Sequence, residues 1–262
     1  MKQFLIKLDQ LFFSSKLRRL NTLLKVSKIK NKINKRTNFE IKINYNNNKY
    51  NNNKYNNLFH NLCKKYNCDK SLIDDDSHNY SEIYFNLFNA RRKGIKRIFE
   101  CGIGTKNKNF PFYMNKKKYK TGASLYVWRD FFPNAEIIAG DIDKSVLFSS
   151  KRIKTFHLDQ LDKKSIKTML SNFKKKEFDI IIDDGDHRFK SGISLFENTY
   201  HKISKNGYYI IEDVSFNDFD KYVDYFQSKN LNVKFYQIKV SDLKVKNDNL
   251  KTDNNLIIIH KI

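Results

Sequence analysis

Residues 178–187 constrain the fold of this chain more than any other stretch, because an apolar run there ends abruptly in charged residues. The segment reads FDIIIDDGDH, so that three consecutive isoleucines are followed by acids, a glycine and a histidine. A short β-branched run bounded by turn residues is typical of a strand that is buried on both faces, as in a parallel sheet. Ligands of such sheets bind beyond the carboxyl ends of the strands. The stretch therefore predicts an α/β sheet with a ligand site at its carboxyl edge.

The residues that follow this strand favour metal-assisted proton transfer. Asp184 and His187 lie three residues apart, so a metal ligand and a general base would share one loop. Carboxylate oxygens suit magnesium, whereas zinc or copper would call for a Cys or His cluster. The alternative is that the acids cap the following helix and that the histidine is solvated.

From residue 96 onward, strand-like apolar runs alternate with helical segments, which is the pattern of a doubly wound α/β sheet. The strands are predicted at residues 97–101, 136–139, 153–158, 178–182, 208–211, 233–240 and 256–262. The helices are predicted at residues 58–66, 81–92, 121–132, 163–173, 189–204 and 216–228. Asn206 and Gly207 predict a turn before the fifth strand, and the last two strands predict a hairpin at the sheet edge.

A glycine-containing loop follows the first predicted strand, where the sequence reads ECGIG from Glu100 to Gly104. Glycines there allow a ligand to approach the backbone, and Glu100 can accept a hydrogen bond from a cationic amine. A dinucleotide site would need a third glycine at position 107, which is Asn, and an acid about 20 residues further on. The pattern therefore favours a nucleoside cofactor without a pyrophosphate, such as S-adenosylmethionine, over NAD.

Polar residues also follow the second and third predicted strands. Asp141 is placed to hold ribose hydroxyls, and Asp159 and Gln160 can meet the adenine edge. Each acid taken alone is better explained as a helix N-cap. Successive strands that all end in acids favour the cofactor site.

Five segments between residues 58 and 214 resemble the macrocin/mycinamicin sugar O-methyltransferase group and its relatives, which include the cephalosporin hydroxylase-like proteins. In chain order they read DK with HNYSEIYFNLF, IFECGIG, GASLYVWRDFFPNAEIIAGDID, DQLD with FDIIIDDGDH, and GYYIIEDV. The resemblance implies a class I, S-adenosylmethionine-dependent methyltransferase. It implies a Rossmann-like, mostly parallel seven-stranded sheet with a magnesium ion at the strand ends.

By motif position, the resemblance also implies which residues form the site. The metal ligands would be Asp184 and the pair Glu212 and Asp213, of which Asp213 matches better. His187 would be the general base, with Asp184 as its catalytic partner on the same loop. The residues implied to line the cofactor are Glu100, Gly102, Gly104, Asp141, Asp159 and Gln160.

The chain departs from the family pattern at two places. Asp186 stands where the family usually has Ser, and we expect its carboxylate to raise the basicity of His187 or to strengthen metal binding. The segment 106–120 is rich in Lys, which predicts a lid that favours an anionic acceptor.

Residues 1–57 lie outside the resemblance and are predicted to form a separate extension, followed by a methyltransferase domain at 58–262. Residues 3–25 predict a basic amphipathic helix, which would pack on its own domain or on a partner, or else lie on an anionic membrane surface. Residues 26–43 are predicted to be loosely ordered. The five-residue repeat of Tyr, Asn and Lys at 45–57 predicts a flexible linker.

The net charge of +23 suggests an anionic partner at first sight. Only nine of the 51 basic residues are Arg, however, and nucleic-acid readout favours Arg. Codon bias toward A and T would also produce this excess of Lys and Asn. The three cysteines, Cys63, Cys68 and Cys101, lack the spacing of a zinc site and fit a reducing cytoplasm.

The sequence therefore predicts a cytoplasmic, magnesium-assisted O-methyltransferase that acts on a sugar hydroxyl of a small molecule or a polysaccharide precursor. Assembly into a homo-oligomer is expected from the family. Two alternatives stay open, namely a diverged hydroxylase-like member and a nucleic-acid- or membrane-surface-binding protein that uses the α/β domain as a scaffold.

Overall fold

A nine-stranded sheet runs through the part of the chain that the computed structural model describes, namely residues 39–45, 57–73, 77–110, 120–173, 176–229, 231–239 and 254–262. Its strands are β1 (Phe39–Tyr45), β2 (Arg97–Cys101), β3 (Glu136–Asp141), β4 (Ser149–Ser150), β5 (Ile153–His157), β6 (Phe178–Asp183), β7 (Ile203–Val214), β8 (Asn232–Lys239) and β9 (Asn255–His260). The α-helices are α1 (Leu58–Tyr66), α2 (Ser81–Phe88), α3 (Ala123–Phe131), α4 (Lys163–Ser171), α5 (Phe189–Thr199) and α6 (Phe216–Gln227). Short 3₁₀ helices lie at Asn89–Arg91, Lys144–Val146 and Tyr200–Lys202.

The strand order is β1-β8-β9-β7-β6-β2-β3-β5-β4. The central strands β5, β3, β2, β6 and β7 are parallel, whereas β9 runs antiparallel to both β7 and β8. This order confirms the predicted doubly wound, mostly parallel sheet and all seven of its predicted strands. The sheet has two further strands, β1 and β4, at its outer edges, so the expected count of seven is too low. A strand of two residues such as β4 is too short to leave a periodic signal in the sequence.

The outer strand β1 corrects two expectations about the N-terminal segment. Residues 39–43 were expected to be loosely ordered, but they belong to β1, which pairs in parallel with β8 from Phe39 opposite Val233 to Tyr45 opposite Lys239. The β8–β9 hairpin therefore lies inside the sheet rather than at its edge. The segment reads FEIKINY, and its alternation of apolar and polar residues is the strand signal that the surrounding Lys and Asn obscured.

The rest of residues 1–57 is almost entirely outside the described residues, including the expected helix at 3–25 and residues 46–56 of the repeat. The domain division at residue 57 stays a prediction. Among the described helices, none combines the length and the apolar content that a bilayer crossing requires.

Strand β7 continues through the residues that predicted a turn. Asn206 adopts a left-handed conformation with φ 61°, and its N–H donates to the Lys261 carbonyl over 2.7 Å. The pairing of β7 with β6 is irregular between Ile203 and Tyr208. The turn-forming residues thus produce an irregularity within a strand instead of a chain reversal.

The three isoleucines of β6 are buried on both faces of the sheet, as their sequence predicted. Ile180 and Ile182 pack in a core with residues of α1, α2 and α3, whereas Ile181 packs in the opposite core with residues of α4, α5 and α6. Each isoleucine is at most 1% exposed. This double burial fixes β6 at the centre of the sheet and holds the residues that follow it at the carboxyl edge.

Candidate active site

The central strands β2 and β6 are neighbours, and the chain leaves their carboxyl ends toward opposite sides of the sheet. From β2 it continues to β3, and from β6 it continues to β7. Hydrogen bonds tie the first residue of each loop to a neighbouring strand, since Asp184 N donates to Cys101 O of β2 and Gly102 N donates to Gly140 O of β3, each over 2.8 Å. A crevice opens at such a switch point, and ligands of α/β sheets bind there.

Gly102 allows the loops after β2 and β6 to touch. Its φ is +90°, and a Cβ built on it would lie 2.0 Å from the carbonyl oxygen of Asp184. A side chain at position 102 would therefore push the two loops apart as well as strain the backbone.

Replacing Gly102 with Ala is expected to lower the free energy of unfolding by about 2–4 kcal/mol, since it combines an unfavourable φ with a backbone clash. Urea denaturation monitored by circular dichroism would measure the change. Gly94→Ala serves as the control, because its φ is not positive and its Cβ would lie 3.3 Å from the nearest atom, Arg91 O. Equal losses of stability in the two variants would contradict this interpretation.

Asp141 organises the glycine loop from the end of β3. Its carboxylate accepts hydrogen bonds from the backbone N–H groups of Ile103 and Asp143, each over 2.9 Å. Burial raises the pKa of Asp141 although these hydrogen bonds oppose the shift. The side chain lines a cavity of about 450 Å³, together with Gly102 and Gly104.

Asp159 and Gln160 also line this cavity, but Gln160 is bonded to protein at both ends of its amide. Its Nε2 donates to Asp183 Oδ1 over 3.1 Å, and its Oε1 accepts from Asp186 N over 2.8 Å. Gln160 therefore fixes the loop after β6 in place through these two hydrogen bonds. Burial raises the pKa of Asp183, the last residue of β6, to about 6.

Glu100 is the one predicted site residue that does not line the cavity. Its carboxylate is fully buried and accepts a hydrogen bond from Ser124 Oγ over 2.9 Å. The strand direction explains this placement, since Glu100 precedes the end of β2 and faces the core below the loop. Its contact with a cofactor stays a prediction.

The structure brings Asp184, His187 and Asp213 together. One ligand atom of each lies within 4.8 Å of the others, which is the geometry of a potential metal site. His187 and Asp213 both have left-handed backbone conformations, with φ of 32° and 51°. Such conformations are unfavourable for residues other than Gly and persist only where the surrounding structure enforces them.

A bulge in β7 places Glu212 and Asp213 at the same cavity. Successive side chains of a regular strand point to opposite faces, but four residues of β7, from Ile211 to Val214, are opposite only three of β9, from Ile257 to Asn255. Both acids consequently line the cavity.

Asp213 is held by two side chains from the segment before α2. Tyr80 OH donates to Asp213 Oδ1 over 2.6 Å, and His78 Nδ1 lies 3.4 Å from the same oxygen. Burial alone would raise the pKa of Asp213, but His78, His187 and the hydrogen bond from Tyr80 together lower it. Asp213 is therefore stabilised as a carboxylate.

Glu212 is bonded away from this group. Its Oε2 lies 2.5 Å from Lys70 Nζ, and its Oε1 accepts a hydrogen bond from Tyr84 OH. With 1% exposure, Glu212 is the most enclosed of the three expected metal ligands. The metal role of Glu212 stays a prediction.

Asp186 is bonded within its own segment, and its expected effect on the basicity of His187 stays a prediction. Its carboxylate accepts hydrogen bonds from Arg188 Nε over 2.7 Å and from Ser191 Oγ. These partners compensate the charge of Asp186 at the start of α5, and Asp186 is not part of the group formed by Asp184, His187 and Asp213. The expected lid at 106–120 lies largely outside the described residues, because 111–119 are not described.

Sequence reasoning missed Lys70, His78, Tyr80 and Tyr84 as site residues. All four belong to the DK and HNYSEIY segments, which carried the family resemblance but received no role. Lys70, His78 and Tyr80 precede α2 and Tyr84 lies within it. No local periodic signal connects any of them to strand ends far along the chain. The only available signal was the resemblance itself.

Known proteins resemble this chain in part of its sequence and in its fold. No family model matches the sequence. Over 137 residues, which are 52% of this chain and 32% of each relative, it is 28% identical to two curated proteins. These are the 8-demethyl-8-(2-methoxy-alpha-L-rhamnosyl)-tetracenomycin-C 3'-O-methyltransferase of Streptomyces olivaceus and the mycinamicin VI 2''-O-methyltransferase of Micromonospora griseorubida. The match thus spans about a third of the length of these relatives.

Among solved structures, the chain is similar to the MycE methyltransferase of the mycinamycin biosynthetic pathway in complex with Mg, SAH and mycinamycin VI. The TM-score is 0.55 at 23% sequence identity, and the alignment covers 78% of this chain and 55% of MycE. The fold is therefore that of the class I, Rossmann-like methyltransferases.

Proposed function

We propose that this protein is an S-adenosylmethionine-dependent, magnesium-assisted O-methyltransferase. Its acceptor would be a hydroxyl group of a sugar, on a glycosylated small molecule or a polysaccharide precursor. The similarity to sugar O-methyltransferases supports the reaction class. The observation that carries the proposal is the convergence of Asp184, His187 and Asp213 at the carboxyl edge of a class I fold.

The residues at this edge fit a magnesium ion. Asp184 and Asp213 each offer a carboxylate from a different strand end, and their side chains are 24% and 16% exposed. Oxygen donors of this kind are what a hard divalent cation prefers, so these two residues would hold the ion, with Glu212 behind them. When bound, magnesium supplies Lewis acidity that makes a sugar hydroxyl easier to deprotonate.

His187 would act as the general base. It lines the same cavity as both carboxylates and lies within reach of them. His187 accepts the proton that the hydroxyl loses while the oxygen takes the methyl group and the carbon–sulfur bond of the donor breaks, leaving S-adenosylhomocysteine. The hydrogen bond from Asp186 N to Gln160 and the close contact between Gly102 and the Asp184 carbonyl hold the loop of His187 against the end of β2.

The cofactor would lie along the loops after β2, β3 and β5. Gly102 and Gly104 let it approach the backbone, Asp141 would accept hydrogen bonds from the ribose, and Asp159 would meet the adenine. Glu100 would lie beneath the cofactor rather than line its cavity, since the carboxylate of Glu100 is fully buried.

Isotope transfer tests the proposed reaction. The full chain is incubated with S-adenosylmethionine labelled in its methyl group and with a panel of glycosylated acceptors, with magnesium or with excess EDTA. We expect the label to appear on a sugar oxygen only when magnesium is present, because deprotonation of the hydroxyl depends on the ion. A labelled product formed at full rate in EDTA would contradict the metal-assisted mechanism. An oxygenated product without label would instead indicate the hydroxylase-like alternative.

A further inference from the structure

A lysine from outside the sheet penetrates the acidic end of the proposed active site. Lys70 lies in the segment after α1, and its side chain is only 2% exposed. Its partners are 114 residues away at Asp184 and 142 residues away at Glu212. Burying an ammonium group is costly unless the group is paired, so Lys70 depends on these partners for its buried position.

The partners of Lys70 are three carboxylates. Its Nζ lies 2.6 Å from Asp184 Oδ2, 2.5 Å from Glu212 Oε2 and 3.3 Å from Glu100 Oε1. Three carboxylates within ion-pair distance of one ammonium group stabilise its charged form, which compensates for its burial.

The surrounding carboxylates need such a cation. With Asp213, they form what we call the acid cluster, namely Glu100, Asp184, Glu212 and Asp213. Like charges that are crowded into a buried site repel each other strongly. Lys70 contacts three of the four members of the acid cluster and so offsets this repulsion. Asp213, in contrast, is held by Tyr80 and His78.

We propose that Lys70 is a built-in counter-ion that holds the acid cluster together in the metal-free protein and competes with the magnesium ion for Asp184. Asp184 is the member that links the two functions, since it contacts Lys70 and also belongs to the group with His187 and Asp213. The proposal rests on the proposed magnesium site, but it concerns metal affinity and stability rather than methyl transfer.

The competition sets a trade-off between stability and affinity. Removing the ammonium group leaves buried carboxylates without their cation, which destabilises the metal-free fold. The same change removes a positive charge next to the site of a doubly charged ion and frees Asp184. Lys70→Met should therefore bind magnesium more tightly, by about tenfold or more, while melting at a lower temperature in EDTA.

Calorimetric titration with magnesium chloride and thermal melting, without methyl donor or acceptor, test the proposal. Lys65→Met is the matched control, because Lys65 is 59% exposed and pairs with Asp130 outside the cavity. We expect the control to bind magnesium like the unaltered protein. Magnesium should also restore most of the melting temperature that Lys70→Met loses in EDTA. Unchanged or weaker magnesium binding by Lys70→Met would overturn the proposal, and so would a loss of stability that magnesium does not reverse.

A second variant covers the case in which Lys70→Met does not fold. The double variant Lys70→Met/Glu212→Gln removes one cation and one buried carboxylate, so the charge balance is restored. We expect it to fold and to be more stable than Lys70→Met, whereas failure of this rescue would contradict the counter-ion role. A chain that behaves as expected in these titrations but transfers no methyl group would contradict the proposed function and leave the role of Lys70 intact.

Discussion

His187→Ala is expected to lower the rate of methyl transfer by about 10²–10⁴-fold, the usual contribution of a positioned general base. The residue lies in the group with Asp184 and Asp213 and lines the cavity. Without this imidazole, the other described histidine that lines the cavity is His78, whose Nδ1 lies 3.4 Å from Asp213 Oδ1, and a neutral sugar hydroxyl is a poor nucleophile. The rate is measured at saturating donor and acceptor, with binding of S-adenosylmethionine followed separately by calorimetry. Donor binding should stay close to that of the unaltered protein.

His201→Ala provides the comparison for this variant. His201 is exposed and belongs to the 3₁₀ helix before β7, away from the cavity. Its replacement should leave the transfer rate unchanged. If His187→Ala retained full activity, or if it lost activity only through lost donor binding, the assignment of the general base would be wrong.

Asp184→Asn is expected to weaken magnesium binding by about 100-fold or more, because it removes a charged oxygen ligand from the centre of the site. The amide also leaves Lys70 with one carboxylate fewer, which further raises the positive charge near the ion. Calorimetric titration with magnesium chloride measures the affinity, and circular dichroism confirms that the variant is folded.

Asp186→Asn is the matched control on the same loop. Its carboxylate is bonded to Arg188 and Ser191, so the change from acid to amide should alter magnesium affinity by only a few-fold. Equal losses in Asp184→Asn and Asp186→Asn would mean that general charge, and not the geometry of Asp184, controls binding.

The centre of the sheet could be predicted because its signals are local. Three isoleucines in a row must alternate between faces, and both faces are apolar when other elements cover a strand on both sides, as in a doubly wound sheet. Gly102 was likewise predictable, since a glycine directly after a strand indicates a close approach of the backbone. The carboxyl edge, with Asp184 and His187 on one loop, followed from these two features.

The contacts that complete the site could not be derived from local sequence patterns. Lys70 reaches Glu212 across 142 residues of sequence, and nothing near either residue indicates the partner. The bulge that turns Asp213 toward the cavity depends on pairing with β9, which is distant in the chain. Similarly, β1 is defined by its pairing with β8, while the composition around it is that of a linker.

A crystal structure of the full chain with magnesium and S-adenosylhomocysteine tests the central claim most directly. The claim predicts a magnesium ion bound by Asp184 and Asp213, the thioether sulfur facing the space beside it, and the imidazole of His187 directed into that space. An ion bound elsewhere, or a cofactor that blocks His187 from the carboxylates, would contradict it.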